Sequence, residues 1–153
     1  PGVHWIVDVQ LPAVYSPSMF ERSFPRSVGA LGSLFECVQA FFKSEGLPTG
    51  GTFAVDLILE ELFTNMVRHS REGRHDIEVK FHWDGSKLTL VLRDVDVEPF
   101  DVAVAPTIDL GRPLEERAPG GLGLHFVHML ADDISYEYAD RTSTTTVTKR
   151  LES

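Results

Sequence analysis

The stretch Asp56-Leu57-Ile58-Leu59-Glu60-Glu61-Leu62-Phe63-Thr64-Asn65-Met66-Val67-Arg68-His69 decides the fold. A helix advances by about 100° per residue. On that wheel Val55, Ile58, Leu59, Leu62 and Met66 share one arc, about as wide as the usual core-facing stripe. Asn65 falls about 20° outside this arc and Glu61 about 60° outside it, on the same side. Glu60 points nearly the opposite way, toward solvent. Glu61 and Asn65, spaced i, i+4, therefore meet on one surface at the edge of the core. A carboxylate there can take a proton from a water or hydroxyl, and an amide oxygen can ligate a hard cation such as Mg²⁺. The plainer reading is a half-buried helix with two polar edge residues.

Upstream, Thr49-Gly50-Gly51-Thr52 forms a turn, with Thr52 as candidate cap for this helix. Before it, Ser27 is a candidate N-cap for a helix marked by Val28, Leu31, Phe35, Val38 and Phe42 and ended by Gly46 and Pro48. Met19–Phe24 reads as a strand stopped by Pro25. Residues 3–11 alternate loosely and make a further strand candidate before Pro12 and Pro17. Downstream the central helix runs to about Ser70, and Arg71–His75 is a polar connection. Ile77, Val79, Phe81 and Trp83 alternate with polar residues, as in a half-buried strand. Asp84-Gly85 signals a hairpin turn. Leu88, Leu90 and Leu92 carry the apolar face back toward Asp94.

Residues 97–119 contain Pro99, Pro106, Pro113 and Pro119 and read as a lid over a site or as a surface loop; connections this long are seldom without function. Gly120-Gly121-Leu122-Gly123-Leu124 then opens a helix marked by Leu122, Phe126, Val127, Leu130 and Ile134. Glycines without Cβ atoms let backbone approach phosphate oxygens, and a helix N-terminus favours an anion; the alternative is a hinge into the helix. Ser135–Tyr138 is a strand, Asp140-Arg141 a turn, and Thr144–Thr148 a closing strand. The pattern predicts an α/β two-layer sandwich with a mixed, mostly antiparallel sheet and helices on one face.

The chain has 153 residues, enough for one domain with a full core. A net charge of −9 argues against a phosphate-backbone binder, which needs a basic face. No apolar run reaches the roughly 18–20 residues that cross a bilayer. No signal-peptide pattern opens the chain, because His4 and Asp8 interrupt Val3–Val9. Beginning at Pro1, it reads as a processed or excised piece. One cysteine, Cys37, lies in an apolar helix pattern and suits a core position in a reducing cytoplasm. His69 is a candidate neighbour of the Glu61 surface. His125 and His128 lie i, i+3 without the further ligands a structural zinc site wants.

Taken together, Glu61-Leu62-Phe63-Thr64-Asn65 resembles the N-box of the GHKL ATPases, which share the Bergerat nucleotide-binding fold. Arg93-Asp94 resembles their aspartate box, and Gly120–Leu124 their glycine box after an ATP lid. Order and spacing are similar to those of the anti-sigma-factor serine/threonine kinases over roughly residues 20–151. The resemblance implies a histidine-kinase-like ATPase domain over 19–153, with a lid at 97–119 and residues 1–18 as an extension or extra edge strand. It implies ATP and Mg²⁺ as cofactors, Glu61 as general base and Asn65 as metal ligand. Asp94 would read the adenine amine; otherwise it is an aspartate that ends a strand and caps a turn. Gly120, Gly121, Leu122, Gly123 and Leu124 would hold phosphates. Thr145 stands where the family's strand threonine supports the base contact. Arg117, near the lid's end, is placed to meet the terminal phosphate or to serve as an exposed salt-bridge partner.

The pattern departs from the family at Asp96, where a glycine is usual. A side chain there crowds the base, the position calls for a backbone conformation costly for a non-glycine residue, and Asp96 with Glu98 adds negative charge near an anionic ligand. The expected function is a cytoplasmic anti-sigma kinase. Its substrate would be an anti-anti-sigma protein of the STAS type, with a sigma factor as further partner and a homodimer as the assembly. The alternative is a catalytically weak or inactive module that sequesters a regulatory partner. A third reading, the catalytic domain of a sensor histidine kinase, lacks a long dimerisation helix with a phosphoacceptor histidine.

Overall fold

A computed structural model describes residues 4–5, 18–69, 73–99 and 121–151. The elements in chain order are β1 (His4–Trp5), β2 (Ser18–Phe24), α1 (Leu31–Glu45), α2 (Thr52–His69), β3 (Ile77–Trp83), β4 (Lys87–Val95), α3 (Gly121–Leu130), β5 (Asp133–Ala139) and β6 (Thr142–Arg150). The strands form one sheet in the order β1-β2-β3-β4-β6-β5, and every described pair is antiparallel. The sheet is thus simpler than the mixed one expected.

Alternation along the strands sorts the two faces. Phe20, Phe24, Ile77, Val79, Phe81, Leu88, Leu90, Leu92 and Val147 are buried on one face and form a single core with the helices. Phe81 is the centre of this layer: it stacks on Phe20 and meets Phe41 of α1 edge to face. The opposite face carries polar side chains such as Glu78, Arg93, Thr144 and Thr146.

The central helix forms as its periodicity requires. Val55, Ile58, Leu59, Leu62 and Met66 are all buried, and Glu60 is exposed. Thr52 is its first residue and not its cap: the Thr52 hydroxyl donates to the Thr49 carbonyl, and a 3-10 turn over Thr49–Gly51 leads into the helix. In α1 the buried stripe is Leu34, Cys37, Val38, Phe41 and Phe42; of the expected line Val38 and Phe42 are buried, and Leu31 and Phe35 are half-buried. The Ser27 side chain accepts the Gly29 amide and caps a 3-10 turn over Val28–Ala30, which puts Val28 outside α1, where it is exposed. Gly46 ends α1 with φ of 64°, a left-handed conformation that favours glycine.

The last helix is shorter than its apolar pattern. Ile134 pairs with Val147 in β5 rather than extending α3, and Phe126 is exposed. The β5–β6 turn uses Asp140 and Arg141 at φ of 52° and 57°, as a two-residue turn of the right twist requires. No described helix is long and apolar enough to cross a membrane.

Candidate functional site

Asn65 lies in the fourth turn of α2 and is 1% exposed. Its amide nitrogen is buried without a hydrogen-bond partner. Such a group costs about 1–3 kcal/mol. One turn earlier Glu61 is half-buried. Its pKa is raised, first by burial and then by the neighbouring charge of Glu60, while Arg68 partly opposes the shift. A carboxylate moved upward in this way is a better proton acceptor near neutral pH. Asp56, on the same helix, is pushed up to about 6 by burial and by Glu60.

Asp94 comes to the same place from the sheet. Leu88, Leu90, Leu92 and Asp94 alternate onto one face of β4, so the aspartate continues an apolar row and is 1% exposed. Arg93 takes the other face and pairs with Glu78 across the sheet. Directly opposite Asp94 on β6 stands Ser143, buried and hydrogen-bonded to the Tyr136 hydroxyl. Thr145 lies two residues along on the same face and is also buried, opposite Leu92. Of the run Thr144–Thr146, only Thr145 is buried.

A buried carboxylate needs a counter-charge, and Arg26 supplies it. One guanidinium nitrogen engages Asp94 Oδ1, and the other reaches Asp94 Oδ2 at 3.2 Å and the Met66 carbonyl at 3.3 Å. This arginine therefore ties the end of β4 to the backbone of α2 next to Asn65. Sequence reasoning missed it. The inward alternation of β4 signals that Asp94 demands a cation, but nothing local says which one, because Arg26 lies 68 residues away.

Asp96 has φ of 57°, the strained backbone that its substitution for glycine implied. Its side chain, however, turns outward. Arg141 donates to Asp96 at 2.8 Å and to Glu98 at 3.3 Å, and all three are exposed. Arg141 holds the Asp96 carboxyl below its ordinary value, chiefly through that hydrogen bond. The Asp96 carboxylate is thereby paired at the β5–β6 turn. Val97 beyond it is buried and pinned at both backbone groups, by Arg141 and by the Tyr138 hydroxyl.

α3 begins at Gly121 and packs on α2. The Leu124 side chain belongs to the core, which leaves only its backbone for a ligand. Gly120, Arg117 and nearly all of the 97–119 lid lie outside the described residues. Among the described residues no group of three metal-ligating side chains occurs. Mg²⁺ keeps waters and takes one or two protein ligands together with substrate phosphates. The amide oxygen of Asn65 is a donor of the type such an ion takes; the unpartnered atom of this side chain is its nitrogen, which ligates no cation.

A family model for the histidine kinase-like ATPase domain matches residues 24–149. Among curated relatives, the serine-protein kinase RsbW of Halalkalibacterium halodurans is 22% identical over 125 residues, covering 79% of this chain and 76% of that protein. Among solved structures, the RsbU and RsbW domains of Rv1364c from Mycobacterium tuberculosis align with a TM-score of 0.61 and 14% identity. The match covers 87% of this chain and 32% of that longer one. The SiaB–SiaC complex from Pseudomonas aeruginosa aligns with a TM-score of 0.55 and 13% identity, over 86% of this chain and 89% of that one.

Proposed function

The chain belongs to the histidine kinase-like ATPase family, and from that premise we propose that it is an ATP-dependent serine/threonine protein kinase of the anti-sigma type. The observation that carries the reading is the convergence at the end of α2. There Asn65, buried with its amide nitrogen unpartnered, and Glu61, with its raised pKa, lie one turn apart on α2, and Arg26 joins the buried Asp94 carboxylate to the Met66 carbonyl of the same helix. The serine-protein kinase among its relatives supports the same activity.

In this reading Glu61 accepts the proton of a partner's serine or threonine hydroxyl. Asp94 accepts a hydrogen bond from the adenine amine, and Thr145 and Ser143 line the same side of the pocket. Asn65 ligates Mg²⁺, which when bound would neutralise phosphate charge. The backbone of Gly120–Leu124 and the side chain of Arg117 bind phosphates. Phosphoryl transfer asks mainly for positioning and charge stabilisation, so this small set suffices. The substrate is an anti-anti-sigma protein of the STAS type, and a sigma factor is the regulated partner. The assembly is a homodimer, and the compartment is the cytoplasm. Residues 19–153 make up the ATPase domain, with the lid at 97–119, and residues 1–18 extend it.

Calorimetric titration with Mg²⁺–ATP tests the reading. Binding is expected, and Asp94→Asn should weaken it. Glu61→Gln should retain binding but lose phosphate transfer to a protein co-purified from cells. Absence of heat at millimolar nucleotide overturns the kinase. One observation favours a second reading, a non-catalytic module that sequesters its partner: Arg26 already occupies the carboxylate meant for the base. Under that reading the partner binds and no nucleotide does.

A further inference from the structure

Asp94 can read a base only if an amine can reach it. Here the carboxylate is 1% exposed, and Arg26 engages both of its oxygens. Carboxylate lone pairs remain in number, but a base amine has to share them with the guanidinium or displace it. The arginine side chain is itself only 10% exposed. It is also held firmly. Phe24, two residues earlier, is paired with Ile77 in the sheet, and a tight turn from Pro25 to Ser27 fixes the backbone on either side of Arg26. The Met66 carbonyl takes one of its hydrogens. Gly73, in the connection after α2, lies so close that a Cβ there would sit 2.5 Å from the guanidinium carbon. The backbone of Gly73 thus stands against the guanidinium, and an added Cβ would displace that flexible end.

We propose that Arg26 is an autoinhibitory cover on the base pocket: it competes with the nucleotide base for Asp94, and Gly73 holds it in the covering position. The inference rests on the nucleotide-binding reading above and adds a residue that decides how tightly the base is taken. A molecule can bind the base only in the fraction of time that the guanidinium is away from Asp94. Apparent affinity falls by that fraction, so a cover open in about one molecule in ten weakens binding about tenfold. The phosphate end of the ligand does not depend on the cover.

The test compares Mg²⁺–ATP with Mg²⁺–tripolyphosphate, which lacks a base, by calorimetry on the wild type, Arg26→Met and Gly73→Ala. Arg26→Met should tighten ATP about tenfold or more and leave tripolyphosphate within about twofold. Gly73→Ala pushes the flexible guanidinium without removing either charge, so it should shift ATP in the same direction by less. Adding Asp94→Asn to Arg26→Met should abolish the gain. Circular dichroism checks that each variant is folded; if Arg26→Met is not, Gly73→Ala decides alone. Measurable wild-type binding that neither variant improves overturns the cover and leaves the nucleotide reading intact. Equal gains for ATP and tripolyphosphate also overturn the cover, because the effect then lies at the phosphates. If no folded variant binds either ligand, the nucleotide reading falls, and the cover falls with it.

Discussion

Removing one member of the Arg26–Asp94 pair should be among the most destabilising changes available in this chain. The side chains are 10% and 1% exposed, so Arg26→Met leaves a carboxylate out of water with its cation gone. Breaking a buried pair from one side costs about 3–5 kcal/mol, against a total of roughly 5–15 kcal/mol for a domain. At roughly 2–4 °C per kcal/mol for a chain of this size, the melting temperature should fall by roughly 6–20 °C. Asp94→Asn, which strands the arginine, should cost a similar amount. The double variant should recover much of the loss, because neither charge is then left alone. Part of the cost of Arg26→Met is the hydrogen bond to the Met66 carbonyl, and the double-mutant cycle removes that part from the coupling. Urea unfolding at pH 7 and 25 °C of the four proteins gives the cycle, with an unchanged slope as the sign that compactness is unaltered. A coupling of about 2 kcal/mol or more is expected. If the single changes add to within about 0.5 kcal/mol, the pair behaves as though solvated and the reasoning is refuted.

Asn65→Leu, close in volume, removes the unpartnered buried amide and should raise stability by about 1 kcal/mol, while Mg²⁺-dependent ATP binding disappears; thermal melting and calorimetry read the two effects. Asp56 has a pKa of about 6 in the folded chain against 3.8 ordinarily. The folded state therefore holds the proton more tightly, and the carboxyl subtracts stability as pH rises through that window. After discounting for its partial exposure, Asp56→Asn should stabilise by about 1 kcal/mol at pH 8. It should do nothing at pH 3.5, and a gain of equal size at both pH values would contradict the assignment. Asp96→Gly relieves a positive φ and forfeits an exposed ion pair with Arg141. These oppose each other, so the melting temperature should move by less than about 3 °C; a larger fall would mean that Arg141 holds this turn together.

The sequence by itself determined the elements whose signals are local. The apolar stripe of α2, the left-handed Gly46, the Asp84-Gly85 and Asp140-Arg141 turns and the alternation of β3 and β4 each follow from chemistry within a few residues, and each is seen. Where a local signal had two solutions, it misled. The aromatic-rich α1 has apolar residues on more than one side and buries Leu34, Cys37 and Phe41 beside the expected Val38 and Phe42, while a 3-10 turn takes Val28 out of the helix. Ile134 continued a helical spacing yet found its partner in β6. The positions of Glu61 and Asn65 at the core edge were legible from the wheel, and the inward aim of Asp94 from the period of its strand. Only the tertiary structure decided what Asp94 touches. A buried charge selects its counter-ion by proximity in space, and the sheet order brought the turn after β2 against the end of β4. It decided likewise that Asp96 faces Arg141 rather than a ligand, because that contact exists only once β4 and β6 are paired.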